Sequence, residues 1–185
     1  NVSGSWVIST LDSTDNVGSN CSIAIGPNNK AYISYKYQNV ALTVSSLKLA
    51  TNVSGSWVTS TINPVTSPNE TAFDTSIAID TNNKVHIIYR HHSLVSNFDL
   101  VYVTNKSGLW VHDYIDKDGW TGFNNSLALD SNNTIHVSYF KEKNDDTSAA
   151  NVVKYATNAF GSWNPIVVKD ALGLPQDGSR YSSVA

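Results

Sequence analysis

The chain has 185 residues, 41% of them apolar and only 15% charged, and its formal net charge is −3. A slightly acidic chain without clustered Lys and Arg has no phosphate-binding surface, which excludes nucleic acid as a partner. No apolar run approaches the roughly 18 residues of a membrane-spanning helix, and the lone cysteine, Cys21, excludes an internal disulfide framework.

From the N-terminus, Asn1-Val-Ser-Gly-Ser-Trp6 introduces a short segment, 5–11, that reads as a strand. The phrase returns at Asn52–Trp57, Asn105–Trp110 and Asn158–Trp163, in steps of 51, 53 and 53 residues. A second phrase, Ser22-Ile-Ala-Ile25, returns as Ser76-Ile-Ala-Ile79, Ser126-Leu-Ala-Leu129 and Ser183-Val-Ala185. A period near fifty makes this a repeat protein, with units at 21–62, 75–115 and 125–168 and the start of another at 181–185. The middle unit shows its parts most plainly: Ser76–Ile79, a turn Asp80-Thr-Asn-Asn-Lys84, Val85–Tyr89, a long polar stretch, Leu100–Val103, a turn at 104–108, and Trp110–Ile115. Each apolar piece is four to six residues, rich in β-branched and aromatic side chains and bounded by Asn, Asp, Ser and Gly, which predicts strands joined by turns.

Four antiparallel strands per fifty residues, repeated, predict an all-β fold, a β-propeller of four-stranded blades. Here it has three complete blades, a leading outer strand and a trailing inner strand. Ser and Ala at matched places in the first strand of each unit fit an innermost strand crowded near the axis. The recurring tryptophan opens the outer strand and reads as a wedge between adjacent blades. Three blades cannot close a ring of the usual four to eight, so either a longer chain or further copies are expected to complete it.

The pattern S-[IL]-A-[IL]-D-x-N-N-x-[VI]-H-[VI]-x-Y, followed by [LV]-x-Y-x-T-N-x-x-G-x-W, resembles the propeller repeats of secreted bacterial and archaeal surface proteins, of the sialidase-like and surface-layer kind. The resemblance implies a fold and says little of activity. The first unit departs from it, with Gly26-Pro27 for the aspartate and its neighbour and Tyr32 for the histidine. A sialidase-like enzyme needs an arginine cluster to grip a carboxylate, and only Arg90 and Arg180 exist, in different units. No Ser-His-Asp elbow, phosphate loop or zinc signature appears. The chain is read as no enzyme.

Repeated turns serve the scaffold, so function is expected in the variable connections on the opposite face. Ligand-binding candidates there are Arg90 and His92 at the end of a second strand, Asp116, Asp118 and Trp120 as carboxylates beside an aromatic platform for a sugar, and Arg180. Adjacent His91 and His92 point to opposite faces of a strand, and Glu142, Asp145 and Asp146 read as a solvated loop before a calcium site. No metal or cofactor is therefore expected. Seven Asn-x-Ser/Thr sequons, at Asn1, Asn20, Asn52, Asn69, Asn105, Asn124 and Asn132, are candidate glycosylation sites and point to an extracellular or cell-surface location. The expected function is a secreted or surface-displayed binding or structural module whose partner is a glycan or an extracellular protein. The alternatives are part of a sialidase-like enzyme with its catalytic groups elsewhere, or a subunit of an extracellular lattice or filament.

Overall fold

The computed structural model describes residues 4–41, 43–64, 72–93, 97–142 and 151–170. Twelve strands are present among them: β1 (Asn16–Ile25), β2 (Ala31–Gln38), β3 (Ser45–Thr51), β4 (Val58–Pro64), β5 (Phe73–Ile79), β6 (Val85–Ser93), β7 (Asn97–Thr104), β8 (Val111–Asp116), β9 (Phe123–Leu129), β10 (Ile135–Lys141), β11 (Val152–Thr157) and β12 (Ile166–Asp170). They form three four-stranded antiparallel meanders, β1 to β4, β5 to β8 and β9 to β12. The inner strands β1, β5 and β9 lie against one another in order. Residues 5–11, expected as an outer strand, form no ladder among the described residues. An outer strand exists only by pairing with a neighbour, and each of the three sheets already has a fourth strand of its own. The expected strand at 181–185 lies outside the described residues.

Two core clusters sit between consecutive sheets. The first joins Leu47, Leu49 and Ile62 to Ile77, Ile87, Tyr89, Val101 and Val103. The second joins Ile88, Leu100, Tyr102 and Ile115 to Leu127, Val137, Tyr139 and Ala156. Alternate residues of β6 thus enter different clusters, odd ones toward the first sheet and even ones toward the third, because the side-chain period of a strand is two. Small inner residues let the inner strands meet: Ser76 Oγ accepts the Leu127 N–H at 3.0 Å, and Ser34 Oγ meets Thr75 Oγ1 at 2.9 Å. The tryptophans wedge where a preceding sheet exists. Trp110 packs on the first cluster and Trp163 on the second, its ring edge-on to Tyr102 at 5.3 Å and its Nε1 donating to Asp113 Oδ2 at 3.0 Å. On the uncovered side of the first sheet, Ile23 is 62% exposed, while its repeat equivalents Ile77 and Leu127 are 6% and 7% exposed.

The repeated polar residues are hydrogen-bonding parts of the scaffold. Asn52, Asn105 and Asn158 each accept, through Oδ1, the N–H of the residue that opens or precedes the second strand: Ala31 at 2.9 Å, Val85 at 2.8 Å and Ile135 at 3.2 Å. Asp80 Oδ1 takes the N–H groups of Asn82 and Lys84 at 2.8 and 2.7 Å, and Asp130 does the same for Asn132 and Thr134. The next asparagine, Asn29, Asn83 or Asn133, sits in the left-handed region with φ of 56°, 60° and 62°, a conformation Asn tolerates best among side-chain-bearing residues. Asn83 and Asn133 also reach the preceding turn, accepting from Asn28 N at 3.3 Å and Thr81 N at 3.1 Å. Two units share an Asp–His–Tyr line: His86 Nδ1 meets the Tyr102 hydroxyl at 2.6 Å with Nε2 3.5 Å from Asp80, and His136 meets Tyr155 at 2.6 Å with Nε2 3.7 Å from Asp130. In the first unit Gly26, Tyr32 and Leu49 replace all three residues, and Tyr32 takes a bond from Asn28 Nδ2 at 3.1 Å.

Replacing Asn105 by Ala leaves the Val85 N–H without a partner. The urea midpoint should fall by the equivalent of about 2 kcal/mol, within the usual cost of an orphaned buried donor. Burial also holds the His86, His91 and His112 imidazoles below their ordinary pKa. The unfolded chain then binds protons more readily than the fold. The stabilisation is complete above the unfolded value near 6.5 and is lost as pH falls below it toward the folded values. Urea midpoints recorded from pH 7.5 to 5 should fall, and less steeply in His86→Gln.

Candidate functional site

Each outer strand carries a bulge one or two residues before its end. Leu100 pairs with Asp116 but Val101 with Tyr114, and the same slip occurs between Leu47 and Lys48 and between Val153 and Lys154. The bulge turns Asp116 toward the third sheet. There its Oδ2 accepts from the Tyr139 hydroxyl and from Lys154 Nζ, both at 2.6 Å, and from Thr121 Oγ1 at 3.4 Å. Oδ1 accepts the Asp118 N–H at 2.9 Å. Burial raises the Asp116 carboxyl, but the Lys154 ammonium and the Tyr139 hydroxyl outweigh it, and the group stays below the usual carboxylate range. Burial and the same carboxylate push the Tyr139 phenol far up. Asp116, chosen from the sequence as a ligand contact, is instead buried and fully engaged by protein. Its role is to fix both arms of the connection from β8 to β9.

That connection carries Trp120. Gly119, Trp120 and Gly122 all have positive φ, 50°, 49° and 83°. Gly122 is required, because a Cβ there would lie 3.1 Å from Leu100 Cβ. A tryptophan in the left-handed region is strained, and backbone bonds on either side hold it: Thr121 N donates to Phe98 O at 3.3 Å and Glu142 N donates to Trp120 O at 2.9 Å. The connection is therefore tied to the second sheet on one side and to the third on the other.

Around it the rim is aromatic. Phe98 meets Trp120 edge-on at 5.5 Å, Phe123 at 5.4 Å and Phe73 at 6.5 Å, and the His92 ring at 4.6 Å. The Arg90 guanidinium lies 4.0 Å over Phe123, 4.4 Å over Phe98 and 4.9 Å over Phe73, with Nε donating to Asp74 Oδ2 at 2.9 Å. Lys36, at Arg90's place in the repeat, lies 3.7 Å over Phe73. Cations and rings thus alternate across the inner strands, a contact favourable to both when desolvated.

The structure brings Arg90, His92 and Trp120 together on Phe98. Arg90 faces rings and Asp74 with a side chain 13% exposed, so it is a clamp. Asp118 is 66% exposed and bonded to Lys141, with Lys154 3.8 Å away. Arg180 lies outside the described residues, as do Asn1 and Asn69. Among the other sequons, Asn52 and Asn105 are strand clamps, Asn20 and Asn124 sit in β1 and β9 with φ of 52° and 45°, and Asn132 is exposed in its turn. No group of three or more His, Cys, Asp or Glu side chains that could hold a metal occurs among the described residues. Sequence reasoning missed Phe73, Phe98, Phe123, Lys141 and Lys154. Phe73 and Phe123 had a signal, since both stand three residues before the Ser of the inner-strand phrase.

The Asp116 arrangement has a counterpart at Asp12, which accepts from Tyr35 at 2.8 Å and from Lys48. Beside it is a pocket of about 270 Å³ lined by Leu11, Val17, Cys21, Ile33, Tyr35 and Ala50. Its equivalents in the third sheet, Val137, Tyr139 and Ala156, are wholly buried against the second. The pocket is the uncovered half of a sheet-to-sheet contact, and its apolar lining follows from that.

The backbone is similar to the structure of a fucose lectin from Kordia zhangzhouensis in complex with methyl-fucoside, with a TM-score of 0.50 and 12% sequence identity over 81% of this chain and 99% of that one. The likeness concerns the fold, and three adjoining antiparallel sheets fit a β-propeller-like arrangement. No protein-family model and no curated protein matches the chain.

Replacing Asp116 by Asn leaves the buried Lys154 ammonium with only the more distant, exposed Asp118 carboxylate at 3.8 Å and should lower stability by about 3 kcal/mol. The paired change Asp116→Leu with Lys154→Met should recover much of that loss in urea titrations, while amide exchange at Asp118, whose acceptor is gone, is faster than in the parent.

Proposed function

We propose that the chain is a non-catalytic carbohydrate-binding module of propeller type, displayed outside the cell, and that it binds sugars at the rim between its second and third sheets. One observation carries this reading: a half-buried tryptophan is held on strained backbone beside a solvent-facing carboxylate. Strain of about 1–2 kcal/mol on a non-glycine residue calls for a return that the fold itself does not need. An indole offers its face to the apolar face of a pyranose, and a carboxylate accepts its hydroxyl protons, the usual division of labour in a ligand site. The fold shared with a lectin supports the same class of ligand, and the sequons and the amide-rich, weakly charged surface support an extracellular setting. A sialidase-like enzyme is disfavoured, because its carboxylate grip needs free arginines and Arg90 is engaged by Asp74 and three rings.

Trp120→Gly is the discriminating variant. Glycine accepts the left-handed backbone at no cost, so the urea midpoint should stay within about 1 kcal/mol of the parent. Binding on a glycan array should fall by about tenfold or more, which is about 1.4 kcal/mol. An array silent for the parent protein would remove the reading.

A further inference from the structure

We infer that this rim is built for an uncharged sugar and rejects acidic ones such as sialic or uronic acids; the inference rests on the carbohydrate reading above. Binding a sugar carboxylate or sulfate takes a cation with free donors, most often an arginine fork. Among the described residues, the cations at this rim are already engaged by the protein. Arg90 is bonded to Asp74 at 2.9 Å and stacked on Phe73, Phe98 and Phe123. Lys154 is buried against Asp116 at 2.6 Å. Lys141 is bonded to Asp118. Lys36 is buried over Phe73. Three aspartates thus face three of these cations.

Among the described residues, the exposed lysine nearest the site in sequence, Lys117, has its ammonium 3.8 Å over the Tyr114 ring. Tyr114 pairs with Val101 of the first core cluster and lines a small pocket with Tyr89 and His91. That is the face of the second sheet turned away from Phe98 and Trp120. The charge that does reach solvent beside Trp120 is the Asp118 carboxylate. It accepts hydroxyl protons from a neutral sugar and repels an acidic one. An anionic ligand would have to displace an aspartate from Lys141 or Lys154, and leaving either carboxylate unpaired is costly in proportion to its burial.

The test is isothermal titration of the whole chain with neutral methyl glycosides (fucoside, mannoside, galactoside) and with N-acetylneuraminic and glucuronic acids, at about 50 and 500 mM NaCl, a range over which screening removes most exposed charge–charge attraction. At least one neutral glycoside should bind, with Kd changing by less than about twofold across that range, and neither acid should bind. Asp118→Asn should weaken the neutral ligand by about tenfold or less, the scale of one hydrogen bond to a charged acceptor, and, because it frees the Lys141 ammonium, should let an acid bind where the parent does not. Salt-sensitive binding of either acid, abolished in Lys117→Ala or Lys141→Ala, would overturn the inference and leave the carbohydrate reading intact. Binding of no sugar of either kind would sink both.

Discussion

A four-stranded sheet with apolar residues on both faces has to be covered on both, and almost everything in this molecule follows from that requirement. The odd residues of β6 find cover on the first sheet and the even ones on the third. Covering both faces with sheets of the same kind needs inner strands close enough to touch, hence Ser and Ala at matched places along them. It also needs a large side chain to fill the gap that widens outward, and Trp110 and Trp163 fill it. Where no neighbour stands, the same residue types are bare, as Ile23 is. The hydroxyl and amide groups then settle the geometry, since a stack held only by apolar area has no fixed register. Ser76 to Leu127 between the inner strands and Asn133 to Thr81 at the turns fix it by direct bonds between neighbouring sheets.

Much of this was legible from the residues. The fifty-residue period, the strand-sized apolar pieces and the Asn-rich turns led to sheets of four strands, because each signal is local and each was repeated. The inner position of the Ser-x-Ala strand followed from side-chain volume. The leading segment 5–11 was less tractable, because β-propensity describes what a stretch can do when offered a partner and carries no knowledge of whether one is there.

The site was legible in part, and the missing part has one cause. Trp120, His92 and Arg90 stood out singly as unusual groups in variable connections, but Phe98, to which all three converge, looked like ordinary strand material. Trp120 is 22 positions from Phe98, and their contact is set by how the β8–β9 connection folds back on the second sheet, which no spacing rule reports; His92 and Arg90 reach Phe98 through the β6–β7 register, which the sequence leaves open. Asp116 was misjudged for a related reason. Beside Trp120 in sequence it resembled a sugar-facing carboxylate. The bulge between Tyr114 and Asp116 reverses its side, and a bulge leaves no mark on alternation when it falls at the last residue of a strand. The Arg90 guanidinium had the right chemistry for an anion grip, yet its position in the repeat, shared with Lys36, was the better clue to its role.

The bulge at the end of every outer strand has a consequence for how such a molecule changes over time. Because the chain leaves the second sheet already facing the third, neither unit owns the rim between them: it is a composite, its connection donated by the unit before and its floor by the unit after. Copying or deleting one unit therefore creates a junction between halves that were never adjacent, and the new rim is a hybrid of two older ones. Variety among such rims can arise by reshuffling whole units, with no substitution at any residue that lines them.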